Sequence, residues 1–156
     1  VVNVRCGDDW MPDQNVSFPK FSFASLYAED DWYTSSCRQQ MERRMLFVIW
    51  RKGATLGDSV LLGTFWWTIP QVDLEGPVQQ CWRTARSAIS ACDGSRLPGT
   101  KGSTVAHVRP HGQNSKDVDT FPDGSTSTKR CFWLNKSYLK SVIEAAADRG
   151  DLQPLP

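Results

Sequence analysis

Two apolar, β-rich runs separated by a glycine-containing loop set the frame of this chain. Arg44-Met-Leu-Phe-Val-Ile-Trp50 is short and dominated by β-branched and large apolar residues, the composition of a central strand. Val60-Leu-Leu-Gly-Thr-Phe-Trp-Trp67 reads as its partner, with Gly63 marking a bulge. Lys52-Gly-Ala-Thr-Leu-Gly-Asp58 between them is a hairpin-type connection.

The segments around this pair alternate between helical and extended patterns. Glu29 to Arg43 opens on acids and closes on arginines, the order that suits a helix dipole. A second helix is expected over about residues 75–91, with Val78, Cys81, Trp82, Ala85 and Ile89 on one face. A third spans Ser137 to Ala147, with Tyr138, Val142 and Ala145 inward. The first 31 residues alternate weakly and suggest an N-terminal hairpin, with Ser17 to Phe23 as a strand entering a loop. Val105 to Arg109 is a strand that Pro110 ends or places at an edge, and Arg130 to Leu134 is another. Residues 112–128 are polar and read as a mobile loop, and 150–156 as a frayed tail. Strands flanked by three helices point to a mixed α/β (α+β) domain over residues 1–149, built on a central mixed sheet.

Composition narrows the function classes. At 156 residues the chain suffices for one core. A net charge of +1 excludes a global cationic field, so any nucleic-acid footprint must be a local patch. No window approaches the roughly 18 apolar residues of a membrane span, and no secretory leader is visible. The first residue is Val, which suggests a piece of a longer chain. Five cysteines (6, 37, 81, 92, 131) with no close pair read as buried free thiols of a cytosolic protein. The tryptophans read as structural, with Trp32, Trp50, Trp66 and Trp82 in the core.

Chemistry concentrates in His107-Val-Arg-Pro-His111 and Lys129-Arg-Cys-Phe-Trp-Leu-Asn135. Arg109 is the side-chain type that reads guanine with two parallel hydrogen bonds; it could instead cap an edge strand or pair with Asp117 or Asp119. Residues 107, 109 and 111 share one strand face, so His111 would support Arg109 or reach a phosphate. Two histidines and the distant Cys131 are a sparse pattern for zinc, and no metal site is expected. Phe132 and Trp133 must point to opposite faces. Asn135 could read an adenine edge or start the following helix. Lys129, Arg130, Lys136 and Lys140 form the densest basic stretch, a phosphate-binding face or a solvated one. Arg44, with Arg43, Arg51 and Lys52, could clamp a backbone from another side, and Lys116 could do so from the 112–128 loop.

These motifs resemble the two recognition segments of the MutH-like endonucleases, a family that includes a mismatch-repair nuclease and the Sau-type GATC-cutting restriction enzymes. Three further pieces are similar in the same order: Asp31-Trp-Tyr-Thr-Ser-Ser36, Arg44-Met-Leu-Phe-Val-Ile, and Phe65-Trp-Trp-Thr-Ile-Pro70 with Trp82 beyond it. Together they cover roughly residues 15–147. The resemblance implies a MutH-like fold, duplex DNA as partner and GATC or a close variant as its site. It also implies base contacts by Arg109 and Trp133, with Phe132 in the core; His111 and Asn135 join them as candidate base readers. Its nucleases hold magnesium with an Asp and a Glu-x-Lys upstream of the Trp-x-x-Ser segment. Here that stretch is Val1-Val-Asn-Val-Arg5, and Phe18-Pro-Lys20 puts an apolar residue where an oxygen ligand belongs.

No residue is therefore assigned a catalytic role, and no cofactor is expected on this domain. Some enzymes resembling this family carry a second, metal-less half that binds another copy of the site as an allosteric effector. By that likeness the chain would be such a C-terminal half, of a type IIE-like restriction enzyme in the bacterial cytoplasm. Its partner would be an N-terminal catalytic domain of the same polypeptide, which would hold the magnesium. Two alternatives remain open: an intact nuclease with its metal ligands upstream of Val1, or a dimerisation or docking module that has lost DNA binding, which the near-neutral charge would suit.

Overall fold

The structure, a computed structural model, describes residues 1–155 and is mixed α/β, with two compact units by internal packing. The first unit takes Val1–Val16, Arg44–Thr68 and the chain from Leu134 onward; the second takes Ser17–Arg43 and Ile69–Trp133.

In the first unit, β1 (Val2–Cys6), β3 (Met45–Arg51) and β4 (Val60–Trp67) form a mixed three-stranded sheet with β3 central. β1 runs parallel to β3, pairing Val4 with Ile49, and β4 runs antiparallel, pairing Phe47 with Phe65. Alternation along β3 buries Met45, Phe47 and Ile49, as a half-covered strand requires. Phe47 stacks on Phe65 with centroids 5.3 Å apart and meets Trp67 edge-on at 5.5 Å. The expected irregularity is present: register shifts between Ile49 and Trp50, opposite Gly63.

The N-terminus differs from the expected hairpin. The chain does turn back on itself, with Gly7 N–H to Met11 O at 3.1 Å and Asp13 N–H to Arg5 O at 2.9 Å, but β1 takes its strand partner from β3. The final helix, α5 (Lys136–Asp148), buries Leu139, Ile143 and Ala146. The inward stripe is thus one residue on from the expected Tyr138, Val142 and Ala145. Both stripes have helical spacing, and burial favours the one carrying Leu and Ile over the one carrying Tyr. The terminal segment is not a frayed tail up to Gln153: Leu152 is buried, bridges to Gly63, and is followed by Gln153 N–H to Leu62 O at 2.8 Å.

In the second unit, β2 (Val16–Phe21), β8 (Arg130–Leu134) and β5 (Ala106–Pro110) form another sheet in the order β2-β8-β5. A single central sheet was expected; alternation reports which residues are buried, but not which strand lies beside which. Residues 112–128 are also not a loose loop. β6 (Val118–Thr120) and β7 (Thr126–Thr128) make an antiparallel hairpin, and Asp119 accepts from Phe23 N–H at 2.7 Å. Phe23 opens the short helix α1 (Phe23–Ala28), capped by Ser22, where the sequence suggested extended chain.

The helix expected from Glu29 is shorter. Asp31 caps a 3-10 turn at Trp32–Thr34, and Ser35 then caps α2 (Ser36–Met41), accepting from Arg38 N–H at 3.2 Å. Two capping side chains in succession restart the helix instead of extending it. α3 (Gln71–Asp73) runs through a π turn at Leu74–Val78, which accommodates Pro77, into α4 (Gln79–Ser90). Val78, Cys81, Trp82, Ala85 and Ile89 are all buried, as the periodicity predicts. Trp32 and Trp82 lie 5.5 Å apart, and their indole N–H groups donate to Glu75 at 2.8 Å and Glu29 at 2.6 Å. Arg38 bonds Glu75 and Glu42, closing the network around α2.

All five cysteines are free thiols, four of them buried; burial pushes Cys81 up to about 12 and Cys37 upward as well. Among the described residues no helix is long and apolar enough to cross a membrane.

Candidate nucleic-acid interface

β5 leaves the core as it runs. Ala106, His107 and Val108 are buried, whereas Arg109 and Pro110 are exposed, so the strand delivers Arg109 to the surface from a fixed base. His111 continues the direction, its N–H donating to Lys129 O at 2.8 Å. Trp133 of β8 lies beside all three alternate residues. The His107 ring is nearly parallel to it at 6.4 Å, His111 meets it edge-on at 5.3 Å, and the Arg109 guanidinium carbon stands 5.4 Å from its centroid. One face of one strand therefore wraps an indole, as the period-2 pattern of 107, 109 and 111 requires.

The two neighbours in Phe132-Trp133 separate as opposite faces demand. Phe132 is buried against Phe21 at 4.9 Å, and Trp133 is only partly buried. The Trp133 Nε1 is itself covered and has no hydrogen-bond partner among the described residues. Arg109 forms no ion pair among the described residues: Asp117 is taken by lysines and Asp119 accepts a backbone N–H. Among the described residues its guanidinium is held by the indole face, a cation–π contact that leaves its N–H groups available to an outside acceptor.

Cations border this tip unevenly. Lys129 pairs with Asp117 at 3.0 Å, and the same carboxylate accepts from Lys20 at 2.8 Å and from Gln113 N–H at 3.0 Å. Those three donors hold the Asp117 carboxyl far below the usual carboxylate range, Lys20 contributing most. Arg130 is half-committed. Its Nη2 donates to Ser127 Oγ at 3.1 Å, its Nε is buried with no partner among the described residues, and burial lowers its pKa. Lys116 is exposed at the root of the hairpin, its N–H bonded to Asn114 Oδ1 at 2.9 Å.

The remaining candidates belong to the first unit. Asn135 is buried at the N-cap of α5, its carbonyl accepting from Leu139 N–H at 3.0 Å. Lys136 is exposed, and its N–H donates to Asn15 Oδ1 at 2.8 Å. Lys140 is engaged by Asp9 at 3.5 Å and Glu144 at 3.7 Å. Arg44 stacks over Trp66 at 4.8 Å. Trp66 is 56% exposed, not a core residue: the irregularity at Gly63 shifts the alternation of β4, so that Leu62 and Phe65 are buried and Trp66 faces outward. The structure thus brings Arg109, His111, Trp133 and Lys129 together in one unit. Lys20, to which no sequence motif points, joins them through Asp117.

No three His, Cys, Asp or Glu side chains lie close enough to hold a metal ion among the described residues. Where the resembled nucleases would place carboxylates, β1 offers Val2, Asn3, Val4 and Arg5, a set with no hard anionic oxygen. These β1 side chains do not fit a magnesium site.

No family model matches the chain. It is 24% identical over 174 aligned positions to the type II restriction enzyme Sau3AI of Staphylococcus aureus. The alignment covers 84% of this chain and 35% of that protein, so the chain spans about a third of the length of the curated relative it matches. The similarity supports a distant, restriction-endonuclease-like relationship.

Proposed function

We propose that this chain binds duplex DNA at a short specific site, GATC or a close variant, as the effector half of a type IIE-like restriction endonuclease. The observation that carries the reading is the Arg109–Trp133 stack. An exposed guanidinium with no acidic partner among the described residues, held by an indole at the end of a strand with a buried base, is pre-organised for two parallel bonds to guanine O6 and N7. His111 edges the same ring, and Trp133 presents its partly exposed rim to a neighbouring base. Lys129, Lys116 and Arg130 would take phosphates beside this tip; Lys136, Lys140 and Arg44, in the first unit, are phosphate candidates of that unit by itself. Asn135, buried at the start of α5, serves the reading better as a helix start than as a base contact.

The likeness to a type II restriction enzyme along most of this chain, but along about a third of that enzyme, supports a modular parent. A catalytic domain N-terminal to this one in the same polypeptide would carry magnesium and cut, in the bacterial cytoplasm. This domain would sense a second copy of the site. Arg109→Ala is the test: the preference for GATC over random duplex should fall by about 1–3 kcal/mol. An equal loss on both duplexes would reduce Arg109 to a phosphate contact and remove the base-reading role.

A further inference from the structure

Lys20, Lys129 and Asp117 are arranged as a clamp. Lys20 lies in β2, Lys129 immediately precedes β8, and Asp117 precedes the β6–β7 hairpin, so three separate segments converge on one carboxylate. The carboxylate is the more sheltered member: the Asp117 side chain is 17% exposed, against 32% for Lys20 and 41% for Lys129. The hairpin root fixes it from behind, through Gln113 N–H to Asp117 Oδ2 at 3.0 Å and Lys129 N–H to Asp117 O at 3.0 Å. Each ammonium has three N–H donors, so one spent on Asp117 leaves two for an outside oxygen. Lys129 is also tied to the reading tip, since its carbonyl accepts from His111 N–H at 2.8 Å.

We propose that Lys20 and Lys129, positioned by Asp117, form a clamp for a single backbone phosphate of DNA beside the base-reading Arg109. The proposal rests on the DNA-binding reading above and adds to it a phosphate-binding residue, Lys20, and a positioning residue, Asp117. Asp117 does two things at once. It cancels one of the two positive charges, which weakens the pull on any duplex, because random binding is almost wholly phosphate attraction. It also fixes two flexible side chains in advance, lowering the entropy that a phosphate in the right register must overcome. The net result is selectivity: less attraction everywhere, retained attraction in one register.

The experiment titrates the full chain into labelled duplexes with and without GATC, by fluorescence anisotropy over a series of salt concentrations. Asp117→Asn should raise affinity for the random duplex about eightfold near 0.1 M salt and steepen the log–log salt slope by about 0.9. Affinity for the GATC duplex should change by less than about twofold, because the added charge is offset by the lost positioning. Lys20→Gln should weaken GATC binding and flatten its slope by about 0.9. Asp8→Asn makes the same change in net charge at an exposed position and should leave the GATC-to-random ratio unaltered. Thermal unfolding of each variant verifies that the fold is intact.

An Asp117→Asn ratio equal to that of the Asp8 variant, or a Lys20→Gln slope equal to wild type, overturns the clamp while leaving the DNA-binding reading standing. Wild-type protein that binds neither duplex overturns both.

Discussion

The guanidinium carbon of Arg109 stands 5.4 Å from the centre of the Trp133 ring, and no carboxylate competes for it among the described residues. Stacking on an indole is a property of the planar, weakly hydrated guanidinium that an ammonium reproduces poorly, and two-pronged recognition is one it cannot reproduce. Arg109→Lys keeps the charge and removes both features. Its affinity for random duplex should stay within about twofold of wild type, while its preference for the specific site falls by about 1–3 kcal/mol. Competition binding with labelled GATC duplex against unlabelled random duplex measures this; retention of full preference would mean that Arg109 does not read bases.

The two indoles Trp133 and Trp82 should respond to different extents to the same substitution. The covered Nε1 of Trp133 has no acceptor among the described residues, so Trp133→Phe removes an unsatisfied donor and should alter stability by no more than about 1 kcal/mol. Trp82 donates to Glu29 at 2.6 Å, and Trp82→Phe leaves that carboxylate oxygen short of a partner, at a cost of about 2–3 kcal/mol. Urea unfolding of the two variants gives the comparison. A Trp133→Phe loss as large as that for Trp82 would mean the Trp133 N–H is satisfied in solution.

Asp117 makes stability depend on acid pH. Its carboxyl is held far below the ordinary value, first by Lys20, then by Gln113 N–H, then by Lys129. The unfolded chain takes up that proton near the free value of about 3.9, so folding is favoured above it and the contribution is lost as pH falls. From about pH 5 to about pH 2, wild type should therefore lose more stability than Asp117→Asn, which has no proton to take up. Parallel curves for the two proteins would show that the cluster is not formed in solution.

At Gly63 the chain adopts φ +152°, and a Cβ there would stand 2.7 Å from the Asp151 carbonyl oxygen. Gly63→Ala should therefore strain β4 or push away the segment carrying Leu152, costing about 1–3 kcal/mol. Leu152→Ala, which empties a buried site, should cost about 2–4 kcal/mol. If either change were neutral in chemical denaturation, the terminal segment would not be docked.

Much of the local structure was legible because period and burial agree. The alternation of β3 and the inward face of α4 follow from apolar spacing, and Gly63 announced its irregularity. Pairing was not legible: nothing in Val2–Cys6 specifies a parallel neighbour that begins at Met45. The 118–128 hairpin was hidden because its strands are short and polar; Asp119, which accepts from Phe23 N–H, and the buried Phe121, packed on Phe23, tie it down without an apolar stripe. At the candidate site, the shared face of 107, 109 and 111 was readable from alternation. Lys20 was not, since it lies 97 positions from Asp117 in a stretch with no basic pattern around it.

The central claim is most directly tested by titrating the wild-type chain in EDTA against two short duplexes that differ only in the presence of GATC. The expected result is binding that weakens steeply with salt and is at least about tenfold tighter on the GATC duplex, with no cleavage when magnesium replaces EDTA. Equal affinity for the two duplexes, no binding to either, or cleavage in magnesium would contradict it.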